Sequence, residues 1–497
     1  VSELRKILLA SLDVIPDATG ASTRLTEILR GLTPVFNVDA LTPKTEAHSH
    51  IERYYGARLM RVPMLRRDLP SRAQTFERAV RRQLESEEYD LIHVTDAFAG
   101  YPVCQRKGQA GYRIIYDAYS LPSLHVQLTN PEVSSELRFM TRLRRIELHC
   151  LLAADLVLVS SEAFKSQIER LGVPADQIRV VPPPVDIARF VEAPLPPEPP
   201  LKLLYIGACR AWEGIETVLK ALRLLLDLGV QAKLAIGGEL DEPAKRLLRA
   251  ASASLRLGDA VERLGPIAHE QMHEVLEQAH ICLAPFCAPA AVGAVGLGSL
   301  KLVEYLAAGR PVVAADSPLH RELAGTPPAA VFFRPGDAGE LAGKLQQLAK
   351  DPAQRAQLAE RARSRARSNF DAGLARKAVL RAYYDLLDPT VVVTADAYVV
   401  PDRAGGHEGD APTSTQSGLA DTGEPDTNPA ASESTTSVGP LPPPVPESTP
   451  TAVPLPTELT PPAGVTNPSF SADTTQFPEE PDWFSAHLPA DPSPPSK

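Results

Sequence analysis

Short apolar runs alternate with longer amphipathic stretches along most of this chain. The first run, Ile7-Leu8-Leu9-Ala10-Ser11-Leu12, predicts a strand over 7–12, since a continuous apolar run of this length suits a strand covered on both faces. Residues 22–32 then predict a helix with Leu25, Ile28, Leu29 and Leu32 on one face and Ser22 as its cap. Pro16 and Gly20 fall in the loop between them. Further apolar runs at 35–41, 58–62, 90–94, 112–116, 155–159 and 178–181 are mostly separated by helical patterns near 71–88, 97–108, 132–152 and 162–171. Such alternation builds a mostly parallel sheet with helices on both faces.

The pattern then breaks at Pro182-Pro183-Pro184 and again at Pro194-Leu195-Pro196-Pro197-Glu198-Pro199-Pro200. Proline at this density continues neither a helix nor a central strand, so 1–190 reads as one domain and 191–200 as a fairly stiff linker. Alternation resumes with strands at 203–206, 232–236, 261–264, 281–285, 311–315 and 330–333, and helices at 214–228, 241–253, 269–279 and 299–308. A second doubly wound domain is expected over 201–345, with two closing helices, 352–369 and 373–387, in the segment 346–388. Two such domains side by side leave a cleft at the C-terminal ends of both sheets, where ligands of open sheets bind.

Composition changes this picture in the last fifth of the chain. The formal net charge is −10, but residues 401–497 hold fourteen acidic and two basic residues, leaving 1–400 near +2. That stretch also carries 21 prolines, so 389–497 is expected to be a disordered, acidic Pro/Ser/Thr-rich tail. A near-neutral body offers no concentrated basic face, and nucleic acid is not an expected partner. Cysteines at 104, 150, 209, 282 and 287 form no Cys-x-x-Cys pair and lie in or beside apolar runs. They read as buried free thiols in a reducing compartment. The apolar runs are all too short for a membrane-spanning helix, and the expected location is the cytoplasm.

Four stretches carry a resemblance. They are Ala154–Ser161 with Ile178–Asp186, then Leu204-Tyr205-Ile206-Gly207 with Trp212-Glu213-Gly214, then Val261–Gly265 with Ala284-Pro285-Phe286, and finally Gly298–Asp316. Together they resemble the retaining GT-B glycosyltransferases of family 4, over about 1–388. The resemblance implies two Rossmann-like domains facing across a cleft. A nucleotide-sugar donor, UDP- or GDP-linked, would lie on the second domain, and a glycan or lipid-linked acceptor on the first. No metal is expected. The family's closing helix crosses back to brace the first domain, which places 373–387 in that role.

Donor-site expectations follow residue by residue. Glu304 matches the family's ribose-binding glutamate, and a carboxylate can accept from both ribose hydroxyls. Gly298 and Ser299 open the same helix and leave amides for a diphosphate, and Lys301 adds a positive charge one turn before Glu304. Gly207 and Gly265 end strands and are expected to let backbone approach the nucleotide. Gly20 and Arg24, in the first-domain loop, face the same cleft. Departures stand out: Ala208 and Glu213 occupy positions where the resemblance implies cations, and Gly296 one where it implies a sugar-binding glutamate. Arg210 is the expected substitute cation. On the acceptor side, His93, Asp96 and Tyr119 lie at strand ends and are the candidate catalytic groups; the family frequently has histidine where Tyr119 stands. Ala208, Glu213 and Gly296 motivate an alternative, a degenerate GT-B protein serving as a binding or assembly subunit.

Two further patterns invite function. His269-Glu270-Gln271-Met272-His273 matches the zinc-protease pattern His-Glu-x-x-His, but Leu276 and Ala279 stand where the extended form needs glycine and histidine, so zinc is not expected. Arg138, Arg142, Arg144 and Arg145 interleave with Leu137, Phe139, Leu143 and Ile146. This reads as a packed helix with a solvated basic face; weak peripheral contact with an anionic membrane is the alternative.

Overall fold

The computed structural model describes residues 4–17, 19–66, 68–268, 271–286 and 299–391. The tail expected to be disordered lies, beyond Val391, outside the described residues, as do Gly296, Gly298, His269 and Glu270.

Two sheets organise the described chain. The first contains β1 (Lys6–Ala10), β2 (Asn37–Lys44), β3 (Ile51–Tyr54), β4 (Ala57–Pro63), β5 (Leu91–Val94), β6 (Arg113–Ala118), β7 (Leu156–Val159) and β8 (Ile178–Val180), in the order β3-β4-β2-β1-β5-β6-β7-β8. All its pairings are parallel except β3 with β4. The second contains β9 (Leu201–Ile206), β10 (Ala232–Gly237), β11 (Val261–Gly265), β12 (Ile281–Ala284), β13 (Val312–Ala315) and β14 (Ala330–Phe333), ordered β11-β10-β9-β12-β13-β14 and wholly parallel. Strand order reverses between β1 and β5 in the first sheet and between β9 and β12 in the second. Each reversal opens a crevice at the strands' C-terminal ends.

Parallel strands covered on both faces should be apolar throughout, and β1, β5, β7, β12 and β13 are buried almost end to end. Each sheet has a core on either face. Leu8, Ile92, Ile114 and Val157 face one core of the first sheet, and Ile7, Leu9, Leu91 and Ile115 face the other. The second core of the first sheet is closed by Ala375, Val379, Leu380 and Tyr383, from the helix Ala372–Leu387, which lies against the helix Gly20–Leu32. Arg376 of the former pairs with Glu27 of the latter. The chain crosses between the two halves twice, and the crossings bond to each other: Val185 N donates to Phe370 O at 2.8 Å, and Ala372 N to Val185 O at 2.9 Å.

The proline-rich connection is held down by buried side chains. Arg310, 1% exposed, donates to the carbonyls of Ala193, Pro194 and Ala279. His280, at the start of β12, accepts from Lys202 N through Nδ1 and places Nε2 2.8 Å from Pro196 O. Both of its ring nitrogens are therefore engaged, and the helix at this point runs only over Met272–Glu277. Among the described residues no group of three His, Cys, Asp or Glu is placed to hold a metal.

Three local expectations are corrected. The first helix begins at Gly20, two residues earlier than its apolar stripe implies, and its cap is Thr19, whose side chain accepts from Ser22 N at 3.2 Å. Ser22 Oγ instead accepts from Asp17 N at 2.7 Å and ties down the preceding loop. The helical pattern at 132–152 begins at Leu137 and is preceded by two shorter helices, Pro122–Thr129 and Pro131–Ser134. Proline at the first position of each starts a helix but cannot continue the one before it. The edge strand β3 and the helices Pro318–Ala324 and Ala338–Lys350 were not read from the pattern.

Candidate functional site

Gly20 marks one place where the two halves approach closely. A Cβ built there would stand 2.7 Å from Tyr119 Oη and 3.3 Å from Leu300, on the helix Ser299–Ala307 of the second half. Gly20 thus lets the loop after β1 lie against that helix.

On the first-sheet side, a cavity of about 270 Å³ is lined by Asp13, Asp96, Asp117 and Tyr119 from the ends of β1, β5 and β6 and by Arg24 of the helix Gly20–Leu32. Its far wall comes from Leu69, Arg72, His125 and Asn130. Asp96 is committed to the scaffold. It caps the helix Ala97–Arg106 by accepting from Phe98 N (2.8 Å) and Ala99 N (2.9 Å), and its other oxygen accepts from Leu12 N (2.8 Å). The carboxylate thereby stitches the end of β1 to the end of β5. His93 is fully buried, with Nδ1 2.8 Å from Tyr383 Oη and Nε2 3.6 Å from Asp117. It stands behind the lining residues of the cavity. Of the three candidate catalytic groups, Tyr119 lines the cavity and remains uncommitted to a cap; burial pushes its phenol up to about 12.

Arg24 differs most from expectation. Nε and Nη2 each donate to Asp117 at 2.8 Å, and Nη1 donates to Val181 O at 3.1 Å. The pair is buried, 3% and 0% exposed in its side chains. Burial works to raise the Asp117 carboxyl, but Arg24 and His93 outweigh it and hold it at about 2. Arg24 is therefore the counter-charge of Asp117, with all three guanidinium nitrogens bonded within the protein.

Asp13 was missed in the sequence. It follows β1 as Asp96 follows β5, and that parallel placement was the available signal. Asp13 is an exposed residue that lines this cavity, and there the surrounding chain and the nearby Asp96 push its carboxyl up.

On the second-sheet side, Glu304 sits on the helix Ser299–Ala307, 8% exposed. It lines a cavity of about 140 Å³ together with Pro16, Asp17 and Ser22 of the first half and Pro184, Asp186 and Arg189 of the crossing segment. Burial pushes its carboxyl up to about 7, against the pull of Lys301 and Arg189. Lys301, on the same helix, pairs with Glu213 at 3.1 Å and lies 4.6 Å from the Tyr205 ring centroid and 5.1 Å from that of Phe286. Arg210 leaves the loop after β9 and stretches across the cleft, with Nη1 3.5 Å from Thr129 O. Ser299 opens the helix, and Gly298 lies outside the described residues.

The strand-end glycines have separate reasons. A Cβ at Gly207 would fall 2.5 Å from Lys301 Nζ and 2.9 Å from Glu213 Oε1, and nearer still to Tyr205 Oη. Gly265 has φ +77° with open space around it, so it serves the backbone turn rather than a close approach. Gly238, at φ +125°, would meet the Gly207 carbonyl at 2.5 Å.

Two doubly wound sheets, parallel but for the edge pair β3–β4, with their crossings bonded together, define the class of GT-B α/β proteins. The comparisons give the family. Residues 18–189 match Glycosyltransferase Family 4, and residues 186–365 match the family described as glycosyl transferases group 1. The chain belongs to this group of GT-B glycosyltransferases. It is 28% identical over 222 residues to the putative colanic acid biosynthesis glycosyltransferase WcaL of Escherichia coli, a match covering 44% of this chain and 53% of that relative, about half its length. Among solved structures, sucrose-phosphate synthase from Thermosynechococcus elongatus superposes with TM-score 0.67 at 23% identity, covering 78% of this chain and 100% of that one. Alr3699/HepE of Anabaena in complex with UDP-glucose gives 0.59 at 17% identity, covering 77% and 100%. Both likenesses speak for the fold.

Proposed function

We propose that this protein transfers a sugar from a nucleotide-sugar donor to a glycan or lipid-linked acceptor with retention of configuration, in cell-envelope or exopolysaccharide assembly at the cytoplasmic face of the membrane. One observation carries the reading. A buried carboxylate, Glu304, opens onto the gap between the halves beside the crevice of the second sheet, while a separate cavity occupies the corresponding crevice of the first. Two substrates can therefore meet between the halves.

In this reading Glu304 accepts from the ribose hydroxyls, and the diphosphate lies near the start of the Ser299 helix, where backbone amides and the helix dipole favour an anion. The acceptor enters the cavity beside Asp13, Tyr119 and His125. A bond forms from an acceptor hydroxyl oxygen to the anomeric carbon as the bond from that carbon to the β-phosphate oxygen breaks, on the same face. The acceptor's proton passes to the departing phosphate. The chain's contribution is orientation and charge stabilisation. The UDP-glucose complex of the Anabaena neighbour supports a nucleotide-sugar donor, and the colanic acid relative supports a polysaccharide context.

The test is ligand-detected NMR on the full chain with UDP-, GDP- and other nucleotide sugars, followed by transfer assays with any donor that binds. Glu304→Ala should weaken the bound donor at least about tenfold, roughly 1.4 kcal/mol. Unchanged affinity would remove the ribose from Glu304. Binding by none of the donors would favour the alternative, a non-catalytic GT-B subunit.

A further inference from the structure

Glu213 places an anion beside the end of β9, in the crevice where a donor diphosphate has to be neutralised. The structure gives this carboxylate a partner from the opposite wall. Lys301 reaches over from the helix Ser299–Ala307, and its Nζ lies 3.1 Å from Glu213 Oε1. The other oxygen, Oε2, accepts from Arg210 N at 3.0 Å, so the carboxylate is fixed to its own loop. Glu213 is 6% exposed, and although burial works to raise its pKa, Lys301 and the Arg210 amide hold it below its ordinary range. A pair this buried costs several kcal/mol in lost hydration, and a lysine left alone would turn its flexible stem toward water.

The pair also has a defined location. Lys301 Nζ and Glu213 Oε1 both lie within 3 Å of the space a Cβ on Gly207 would fill, and the Tyr205 and Phe286 rings flank the ammonium. Gly207 follows β9 and Phe286 follows β12. These are the two strands between which the order of the second sheet reverses.

We propose that Glu213 is a positioning residue: it pins the Lys301 ammonium at this switch point, where the ammonium contacts the diphosphate of a bound nucleotide. The claim rests on the nucleotide-sugar reading given above. Glu213 is then part of the device that keeps a cation in the crevice, rather than a sign of a failed site.

The experiment separates the diphosphate from the rest of the nucleotide. Isothermal titration calorimetry on the full chain measures affinities for UDP, GDP and ADP and for the matching nucleosides. The ratio of diphosphate to nucleoside affinity is then compared across variants of the two residues. Lys301→Ala should lower that ratio at least about tenfold, and Glu213→Ala about threefold or more, with nucleoside affinity retained; these sizes follow the usual worth of charge-assisted bonds. A pair serving stability alone would move both affinities together and leave the ratio unchanged. An unchanged ratio in Lys301→Ala, or an unchanged or raised ratio in Glu213→Ala, overturns the proposal. So does a parallel collapse of both affinities in Lys301→Gln as well as Lys301→Ala. If the unaltered protein binds none of the three diphosphates, the nucleotide-sugar reading falls and this proposal falls with it.

Discussion

Replacing Arg24 by methionine should destabilise the first half of the molecule while leaving its contacts with any nucleotide largely intact. The side chain makes two 2.8 Å bonds to Asp117 and one of 3.1 Å to Val181 O, all buried. Methionine retains much of the stem's volume but strands a carboxylate that has 0% exposure. Breaking one side of a buried pair costs about 3–5 kcal/mol, because the remaining charge has neither partner nor water. His93, 3.6 Å away, recovers only part of this. Amide hydrogen exchange in peptides covering β6 and β7 should therefore speed up by roughly two to nearly four orders of magnitude. The pH dependence has a definite sign. Asp117 is held at about 2 against an ordinary 3.8, so its contribution is complete above pH 3.8 and is lost as pH falls through 2. The gap between the unaltered protein and Arg24→Met should be full at pH 7 and narrow in acid, where the stranded carboxylate can be protonated. Replacing both residues, as Arg24→Met with Asp117→Leu, should recover most of the loss. Acceleration under about fivefold, together with weakened diphosphate binding, would return Arg24 to the donor site and refute this reasoning.

Other expectations follow from the same geometry. Burial pushes Glu147 up to about 7 while it accepts from Ser123 N and Ser123 Oγ. The folded state therefore holds this proton more tightly than the unfolded state, and stability falls as pH rises from 4.5 to 7. Glu147→Gln should flatten that part of the denaturation profile, and an unchanged slope would contradict the assignment. Gly238→Ala should cost about 2 kcal/mol or more in thermal or urea unfolding, since φ is +125° and the new Cβ would meet the Gly207 carbonyl at 2.5 Å; a loss below about 0.5 kcal/mol would show that the loop can yield. Gly265→Ala tests the contrast. Its cost should be confined to the left-handed backbone, roughly 1 kcal/mol, because among the described residues nothing beyond its chain neighbours lies within 4 Å of the added Cβ.

Much of the architecture was legible because parallel sheets leave a strong mark on sequence. Runs such as Leu203–Ile206 and Val312–Ala315 are apolar without alternation, since both faces of the strand are covered, and prolines punctuate the turn from one half to the other. The weaker signals went unread. Strand β3 lies at the edge with alternately exposed residues, and the short helix Pro122–Thr129 buries only Ser123 and Val126. Neither presents enough apolar surface to define a period.

Side-chain partners were beyond the sequence's reach, for a physical reason. Whether an arginine meets a ligand or another side chain depends on residues far away in the chain: Asp117 lies 93 positions from Arg24, and Glu213 88 positions from Lys301. Composition and pattern determined two doubly wound sheets with a cleft along their C-terminal edges, and the family resemblance pointed to Glu304, which lines a cavity between the halves. The tertiary structure alone decided which charges are spent on one another. It turned Arg24, Asp96 and His93 toward the scaffold, brought Asp13 to the cavity lining, and converted Glu213 from a misplaced anion into the partner of a lysine on the facing helix. Local pattern is set by burial along each element, whereas charge pairing is set by the packing of elements that meet only after folding.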